Sequence, residues 1–304
     1  MLVLGWRLAP ISLFHIIPLS FSTLSWRALL LAATRPGVGT ILWIRWIRES
    51  INALLPVAGV GGDFAGVSLI RRRGVPGAEA AASMVADTTV GVATQLLFVL
   101  AGVALLLARS RGDDALEVVY AVLIGLAVFV ALIAAFVLAQ HRSLFATLVR
   151  LAHRLAPADA LAELAGGAAA VDEATVATYR RTGALIRATL LHLVSWVAAA
   201  GEVWLVLYFL DRPFSPVDAF VLESLASGVR AAAFMAPGAL GAQEGAFVLF
   251  GHLLGLPADV ALAISLSKRV RELALGVPGL ILWQWIEGRR LLGRGKTARP
   301  EGSY

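Results

Sequence analysis

The chain contains Pro56-Val-Ala-Gly-Val-Gly-Gly-Asp63 and, much later, Pro237-Gly-Ala-Leu-Gly-Ala-Gln-Glu244. In each, a proline is followed seven residues on by a carboxylate, in a glycine-rich apolar setting. Gly74-Val-Pro76 and Gly255-Leu-Pro257 begin eighteen residues after the first proline of each set. Eleven residues past Pro76 and Pro257 stand Asp87 and Lys268. One offset of 181 positions relates every pair. Glycine and proline both weaken a helix interior, so neither stretch suits a plain spanning helix. Irregular backbone at membrane depth is tolerated only where protein or a wet cavity surrounds it.

The rest of the sequence supplies the membrane. Of 304 residues, 59% are hydrophobic and 15% charged, against about 25% charged in soluble domains; mean hydropathy is +0.81. Residues 88–108 and 118–139 carry no charge, and about 20 helical residues cross a bilayer. Spanning helices are predicted at 8–32 (broken by Pro10 and Pro18), 76–107, 116–140, 184–210 and 258–286. Lys and Arg concentrate at 35–48, 71–73, 142–181 and 289–299, while the loops 109–114 and 211–216 carry few. Cytoplasmic loops are the Lys- and Arg-rich ones. This pattern closes only if 50–70 leaves and returns on the cytoplasmic side and 217–256 on the periplasmic side. The predicted fold is therefore all-α: a polytopic transmembrane helical bundle with two inverted repeats, each containing a Gly/Pro-broken re-entrant hairpin. The repeat elements are about 46–107 and 221–286, within a single transmembrane domain of residues 1–287. Residues 141–183 are expected to be a basic amphipathic cytoplasmic linker, with a small-residue stretch around Gly166 and Gly167. Residues 288–304 are expected to be a loose basic cytoplasmic tail. The expected location is the bacterial inner membrane, with the C-terminus cytoplasmic. The start of the chain lacks a basic n-region and a small-residue cleavage site, so the first apolar segment is expected to be an uncleaved anchor.

Several chemistries find no support in the residues. There is no cysteine, and the five histidines are scattered without metal-ligand spacing. No Ser-His-acid set or phosphate loop stands out. No metal, no cofactor and no enzymatic activity are expected. The net charge of +6 suits membrane orientation rather than nucleic acid.

The charges inside apolar segments are the candidate site. Each costs about 2.5–3.5 kcal/mol at the bilayer centre on insertion scales. Lys268, Arg269, Arg271 and Glu272 fall mid-way along the last long helix, together roughly 10 kcal/mol or more if unpaired. Lys268 and Glu272 are four apart and can pair along the helix. Arg269 and Arg271 must then draw on Asp63, Asp87, Glu202, Glu223 or Glu244. Glu79, Ser83, Asp87, Gly91 and Gln95 step by four along an earlier helix, making a polar stripe with a notch at Gly91. Glu49 and Asn52 lead into the first broken stretch, Glu223 and Arg230 into the second, and Gln243 precedes Glu244. With Pro56 and Pro237 these residues form the predicted substrate path and its gates. Two readings stay open: a polar cavity for a lipid headgroup, or buried salt bridges that fix helix register. Arg35, Arg45 and Arg48 around Trp43 and Trp46 suggest an interfacial stretch, the tryptophans interface anchors, and His192 and His252 packed or interfacial side chains.

The strings Trp46-Ile-Arg-Glu-Ser-Ile-Asn52, Leu55-Pro-Val-Ala-Gly-Val-Gly-Gly-Asp63, Arg73-Gly-Val-Pro76, Pro237-Gly-Ala-Leu-Gly-Ala-Gln-Glu-Gly245 and Lys268-Arg-Val-Arg-Glu-Leu273 resemble the hopanoid-biosynthesis-associated membrane proteins called HpnL. That group is similar to the flippase-type transmembrane region of lysylphosphatidylglycerol synthases. The resemblance covers nearly the whole chain. It implies translocation or delivery of a membrane lipid, hopanoid or phospholipid, with hopanoid-biosynthesis proteins as partners. In the family pattern Gln often stands at Gly59 and Glu at Asp63, and one more spanning helix precedes the segment near Leu8. The resemblance is to the membrane part of the synthases alone, so aminoacyl-transfer chemistry is not expected. The alternatives are a non-transporting scaffold of a lipid-biosynthetic complex and an enzyme modifying lipid headgroups.

Overall fold

The computed structural model describes residues 5–31, 33–55, 61–109, 158–233 and 239–297. Among them there are helices and no strand. A 3-10 turn, Gly5–Arg7, leads into α1 (Leu8–Phe14) and α2 (Ile16–Leu29). Then come α3 (Val38–Leu54), α4 (Gly61–Arg71) and α5 (Gly77–Arg109). After them follow α6 (Ala158–Arg180), α7 (Thr182–Phe209), α8 (Pro216–Ala232), α9 (Ala242–Leu253) and α10 (Ala258–Thr297).

Three helical stretches among the described residues are long and apolar enough to cross a membrane: Gly5–Leu29, Gly77–Ala108 and Thr182–Phe209. They match three of the five predicted crossings. The crossing at 116–140 lies outside the described residues, as do Pro56, Gly59, Pro237 and the amphipathic pattern of 141–157. The fifth, α10, carries four charges within five positions, Lys268 to Glu272, and is not in that apolar class. It continues as helix to Thr297, so part of the expected loose tail is helical. The linker expected around Gly166 and Gly167 is also helical, inside α6. Its many alanines, the best helix formers, outweigh about 1 kcal/mol per glycine.

The sequence punctuation has direct local consequences. The first apolar segment breaks at His15, between α1 and α2. Pro18 cannot bond to the Phe14 carbonyl four residues back, and its ring crowds that carbonyl. The two Gly-x-Pro strings do the same job twice. Gly74 (φ 90°) and Gly255 (φ 79°) adopt the left-handed backbone that ends α4 and α9. Pro76 and Pro257 then start α5 and α10, their carbonyls accepting from Ala80 and Ala261 at 2.8 and 3.1 Å.

Each interrupted stretch is a pair of packed helices, α3 with α4 and α8 with α9. The first pair is antiparallel and close. A Cβ on Gly62 would run into the Arg48 carbonyl, and one on Gly66 would face the Met84 and Arg48 side chains. Further contacts join α3 to α10, α8 to α5, α4 to α5, α9 to α10 and α2 to α7. Among the described residues two large apolar cores hold the bundle, with a smaller one at Leu29, Ala86, Val90 and Ala188. One gathers Val103, Val206, Leu222, Phe247 and Ile264 from α5, α7, α8, α9 and α10. The other gathers Trp26, Ile44, Ile70 and Met84 from α2 to α5, with Leu280 and Trp283 of α10 against it. Trp26 is fully buried and donates to Ser83 Oγ at 3.2 Å, so it is a core residue and not an interface anchor.

Candidate functional site

The face of α3 that turns inward carries Arg45, Arg48, Glu49 and Asn52, spaced so that all share one side of the helix. Opposite them on α5 is Asp87, 1% exposed. Asp87 Oδ2 accepts from Arg45 Nη1 at 2.7 Å and from Arg48 Nη1 at 2.6 Å. Its Oδ1 faces His192 Nε2 at 3.1 Å. Arg48 also binds Asp63 of α4 and donates to Thr88 Oγ1 at 3.0 Å. Arg45 reaches Glu49 at 3.1 Å. Asn52 Oδ1 accepts the Gly62 amide at 2.8 Å, tying α3 to the first turn of α4. Arg45 and Arg48, expected in an interfacial stretch, are instead buried partners of Asp87, because a carboxylate enclosed in a bundle needs compensating charge.

A second group surrounds α10. Arg271 donates to Glu202 of α7 and, at 2.8 Å, to His15 Nδ1. Lys268 does not pair with Glu272 along its own helix; its Nζ lies 2.8 Å from Glu223 of α8 and 6.0 Å from the Phe247 ring centroid. A turn-to-turn pair would leave Glu223 buried without a cation. Glu272 receives Arg269 at 3.0 Å and Arg230 and Arg271 at 3.6 Å each. Arg269 also binds Glu244 at 3.0 Å, and Glu244 Oε2 caps α9 by accepting the Gly241 amide at 2.8 Å.

His15 links the two groups. An arginine can only donate, so His15 Nδ1 accepts from Arg271 and the ring proton sits on Nε2. That nitrogen is 3.7 Å from Glu49 Oε2. The break above Pro18 thus places one imidazole between Glu49 of α3 and Arg271 of α10. The named groups comprise six fixed cations and seven carboxylates, a nearly neutral set, which is what burial of so many charges requires.

Between the groups lies a cavity of about 360 Å³. Its lining mixes titratable side chains, His15, Arg45, Glu49, His192, Glu223, Arg230, Lys268, Arg271 and Glu272, with apolar ones, Pro18, Leu19, Trp46, Ala53, Trp196 and Leu275. Glu49, Asn52, Glu223, Arg230, Lys268, Arg271 and Glu272 of the predicted path line it. Asp63, Asp87, Glu202, Glu244 and Arg269 stand behind that lining as counter-ions. Gln95 and Gln243 do neither; they donate to the Ser227 carbonyl and Ser265 Oγ, both at 3.1 Å. The notch at Gly91 is occupied by His192, whose ring would lie 3.4 Å from an added Cβ. Two carboxylate oxygens, Glu202 Oε1 and Glu223 Oε2, are buried with no hydrogen-bond partner among the described residues. Glu223 lines the cavity, and its other oxygen holds Lys268 at 2.8 Å. Among the described residues no group of three or more His, Asp or Glu could hold a metal ion.

The cavity residues not read from the sequence as site residues include His15, Arg45, His192 and Trp196. The signal for Arg45 was present, in its helical spacing with Glu49 and Asn52. For His15 and His192 the sequence carries none, since their partners are 34 and 105 positions away.

Two contacts stand at the same sequence offset. Asp63 lies 3.5 Å from Thr88 Oγ1, and Glu244 lies 3.0 Å from Arg269 Nε; the offset of 181 relates both pairs. Asp87 on α5 holds arginines of α3, and Lys268 on α10 holds a glutamate of α8, with the signs exchanged. No curated protein and no solved structure matches the chain. The family described as Lysylphosphatidylglycerol synthase TM region matches residues 2–279, nearly the whole length that builds the bundle and its cavity, and the chain belongs to that family.

Proposed function

We propose that this membrane protein moves an amphipathic lipid, hopanoid or phospholipid, through the central cavity, without catalysing a chemical change. The observation that carries the reading is the cavity itself. Its lining combines charged and apolar side chains, and α3, α8 and α10 all contribute to it. Its 360 Å³ is at the small end of the ~300–1,000 Å³ of ligand sites, room for a headgroup while acyl or ring portions stay in the bilayer. Glu223 accepts a hydroxyl or ammonium of the guest, and Arg230, 38% exposed at its side chain, meets its anionic part. The pairs α3–α4 and α8–α9 are the gates, as re-entrant hairpins of an inverted repeat. The exchanged contacts support this: α3 with α10, α8 with α5, and the matched pairs at Asp63 and Glu244. Broken segments in matching halves around a central site are the common plan of secondary transporters. The hopanoid class and an HpnL-type role rest on the resemblance of the sequence strings.

The test is reconstitution of the purified chain in liposomes, with leaflet accessibility of headgroup-labelled phospholipid and hopanoid probes as readout. Wild type is expected to accelerate transbilayer movement of one class, and Glu223→Gln and Arg230→Gln to slow it at least tenfold at matched protein amounts. Movement no faster than in empty liposomes refutes the proposal. A scaffold role has one observation in its favour, the near-complete internal pairing of the charges. It predicts that the same variants change protein level and leave lipid distribution alone.

A further inference from the structure

The C-terminus of α2 and the N-termini of α5 and α7 meet at one place. These are the ends of all three apolar, membrane-length stretches among the described residues, so the place lies where hydrocarbon gives way to water. The contacts there are Arg181 Nη1 to the Leu29 carbonyl at 2.8 Å, Arg35 Nη2 to the Leu30 carbonyl at 2.7 Å, and Arg27 Nε to the Pro36 carbonyl at 3.1 Å. Burial, then the charges of Arg27, Arg181 and Arg187, pull the Arg35 guanidinium below the ordinary arginine range, with Glu79 opposing. Glu79 is itself occupied by the Leu31 amide at 2.8 Å and by Thr34. Arg35 Nε is enclosed with no hydrogen-bond partner among the described residues. Four arginines thus face one acid, in contrast to the near-neutral central network.

The surface beside this cluster is apolar. Ile186, Leu190, Val194 and Val197 of α7 are all 44–57% exposed and share one side of the helix. Arg187 is exposed and stands at the head of that stripe, one turn before Leu190.

We propose that this corner is a binding site for an anionic phospholipid, with the phosphate on Arg35, Arg181 and Arg187 and one acyl chain along the α7 stripe. Guanidinium suits phosphate through paired N–H donors, and basic pockets at the ends of membrane helices hold anionic headgroups. The phosphate also neutralises like charges that repel one another. The site is separate from the central cavity and does not rest on the transport reading.

The experiment follows the thermal unfolding midpoint of the purified full chain in neutral detergent. The probes are phosphatidylglycerol, phosphatidylcholine and inorganic phosphate. Phosphatidylglycerol is expected to raise the midpoint and to half-saturate at a concentration at least tenfold below that of phosphatidylcholine, with no effect of inorganic phosphate. Arg35→Gln with Arg187→Gln is expected to abolish that preference. If the double variant does not fold, Arg187→Gln alone, at an exposed position, is expected to weaken the preference at least threefold. Glu223→Gln is expected to leave the titration unchanged. Equal response to the two lipids, or unaltered response of the arginine variants, overturns the proposal. So does a shift reproduced by inorganic phosphate, which would mean an anion site without lipid. Loss of the response in Glu223→Gln overturns it too, since the lipid would then sit in the cavity.

Discussion

Replacing Asp87 by Asn removes one negative charge and almost no volume, so its effect reports electrostatics rather than packing. Asp87 is 1% exposed and serves Arg45, Arg48 and His192 at once. Removing one partner of a buried ion pair costs about 3–5 kcal/mol, because the other charge stays buried. Here Arg45 keeps Glu49 and Arg48 keeps Asp63, and the asparagine carbonyl still accepts one N–H. The expected cost is therefore at the low end, about 3 kcal/mol. At about 2–4 °C per kcal/mol for chains of 150–250 residues, the midpoint should fall by roughly 6–12 °C. The assay is tryptophan fluorescence during heating of the purified chain in neutral detergent. A second variant, Arg48→Gln, closes a double-mutant cycle. The pair should be less damaging than the sum by about 0.5–3 kcal/mol, as for groups in one network. A drop smaller than about 2 °C, or strictly additive losses, would show that Asp87 does not neutralise these arginines.

Other expectations follow from contacts. Gly62→Ala places a Cβ against the Arg48 backbone carbonyl, which cannot swing aside; a loss of about 1–3 kcal/mol is expected, read from the midpoint, while Gly245→Ala, with open space around it, should lose nothing. Trp26→Ala empties a fully buried site and should cost about 3–5 kcal/mol, the largest drop of the set by the same heating assay. His15→Leu severs the contact between Glu49 and Arg271; proteolysis of the purified variant should show α3 cleaved faster than in wild type, and an unchanged rate would remove His15 as a link.

What the sequence made legible is what local chemistry writes. Pro18 foretells the break before it, and the paired Gly-x-Pro strings foretell two helix stops followed by two helix starts. The charge-free run at 88–108 foretells α5. Charge inside the helices was legible as a demand for partners, and Arg269 and Arg271 do take Glu244 and Glu202. Which partner each charge takes was not legible, because pairing is decided by helix packing across distances of tens to hundreds of residues. Lys268 shows this: the local rule offers Glu272 four residues away, yet the bundle brings up Glu223 from α8. The arginines of α3 show the reverse error. Beside tryptophans they suit an interface, but helix periodicity puts Arg45 and Arg48 on the side of Glu49 and Asn52.

The same contrast separates the two charged regions as sites. In the central network every cation named here has a carboxylate, so the charge that a guest finds is small and is set by free atoms such as Glu223 Oε2. A guest there must exchange hydrogen bonds with paired groups, and its own binding displaces contacts that hold α3, α8 and α10 in place. Affinity at such a site is inseparable from movement of those helices. The arginine corner at α2, α5 and α7 is the opposite case. Its cations outnumber their acid and already rest on helix carbonyls, so a phosphate adds charge balance without breaking a pair. Occupation there should stabilise the resting bundle. Comparing the two gives a test of the whole scheme: anionic lipid should raise the unfolding midpoint in Glu223→Gln as much as in wild type, while transport is lost. Equal loss of both in that variant would mean that the bundle carries one lipid site, not two.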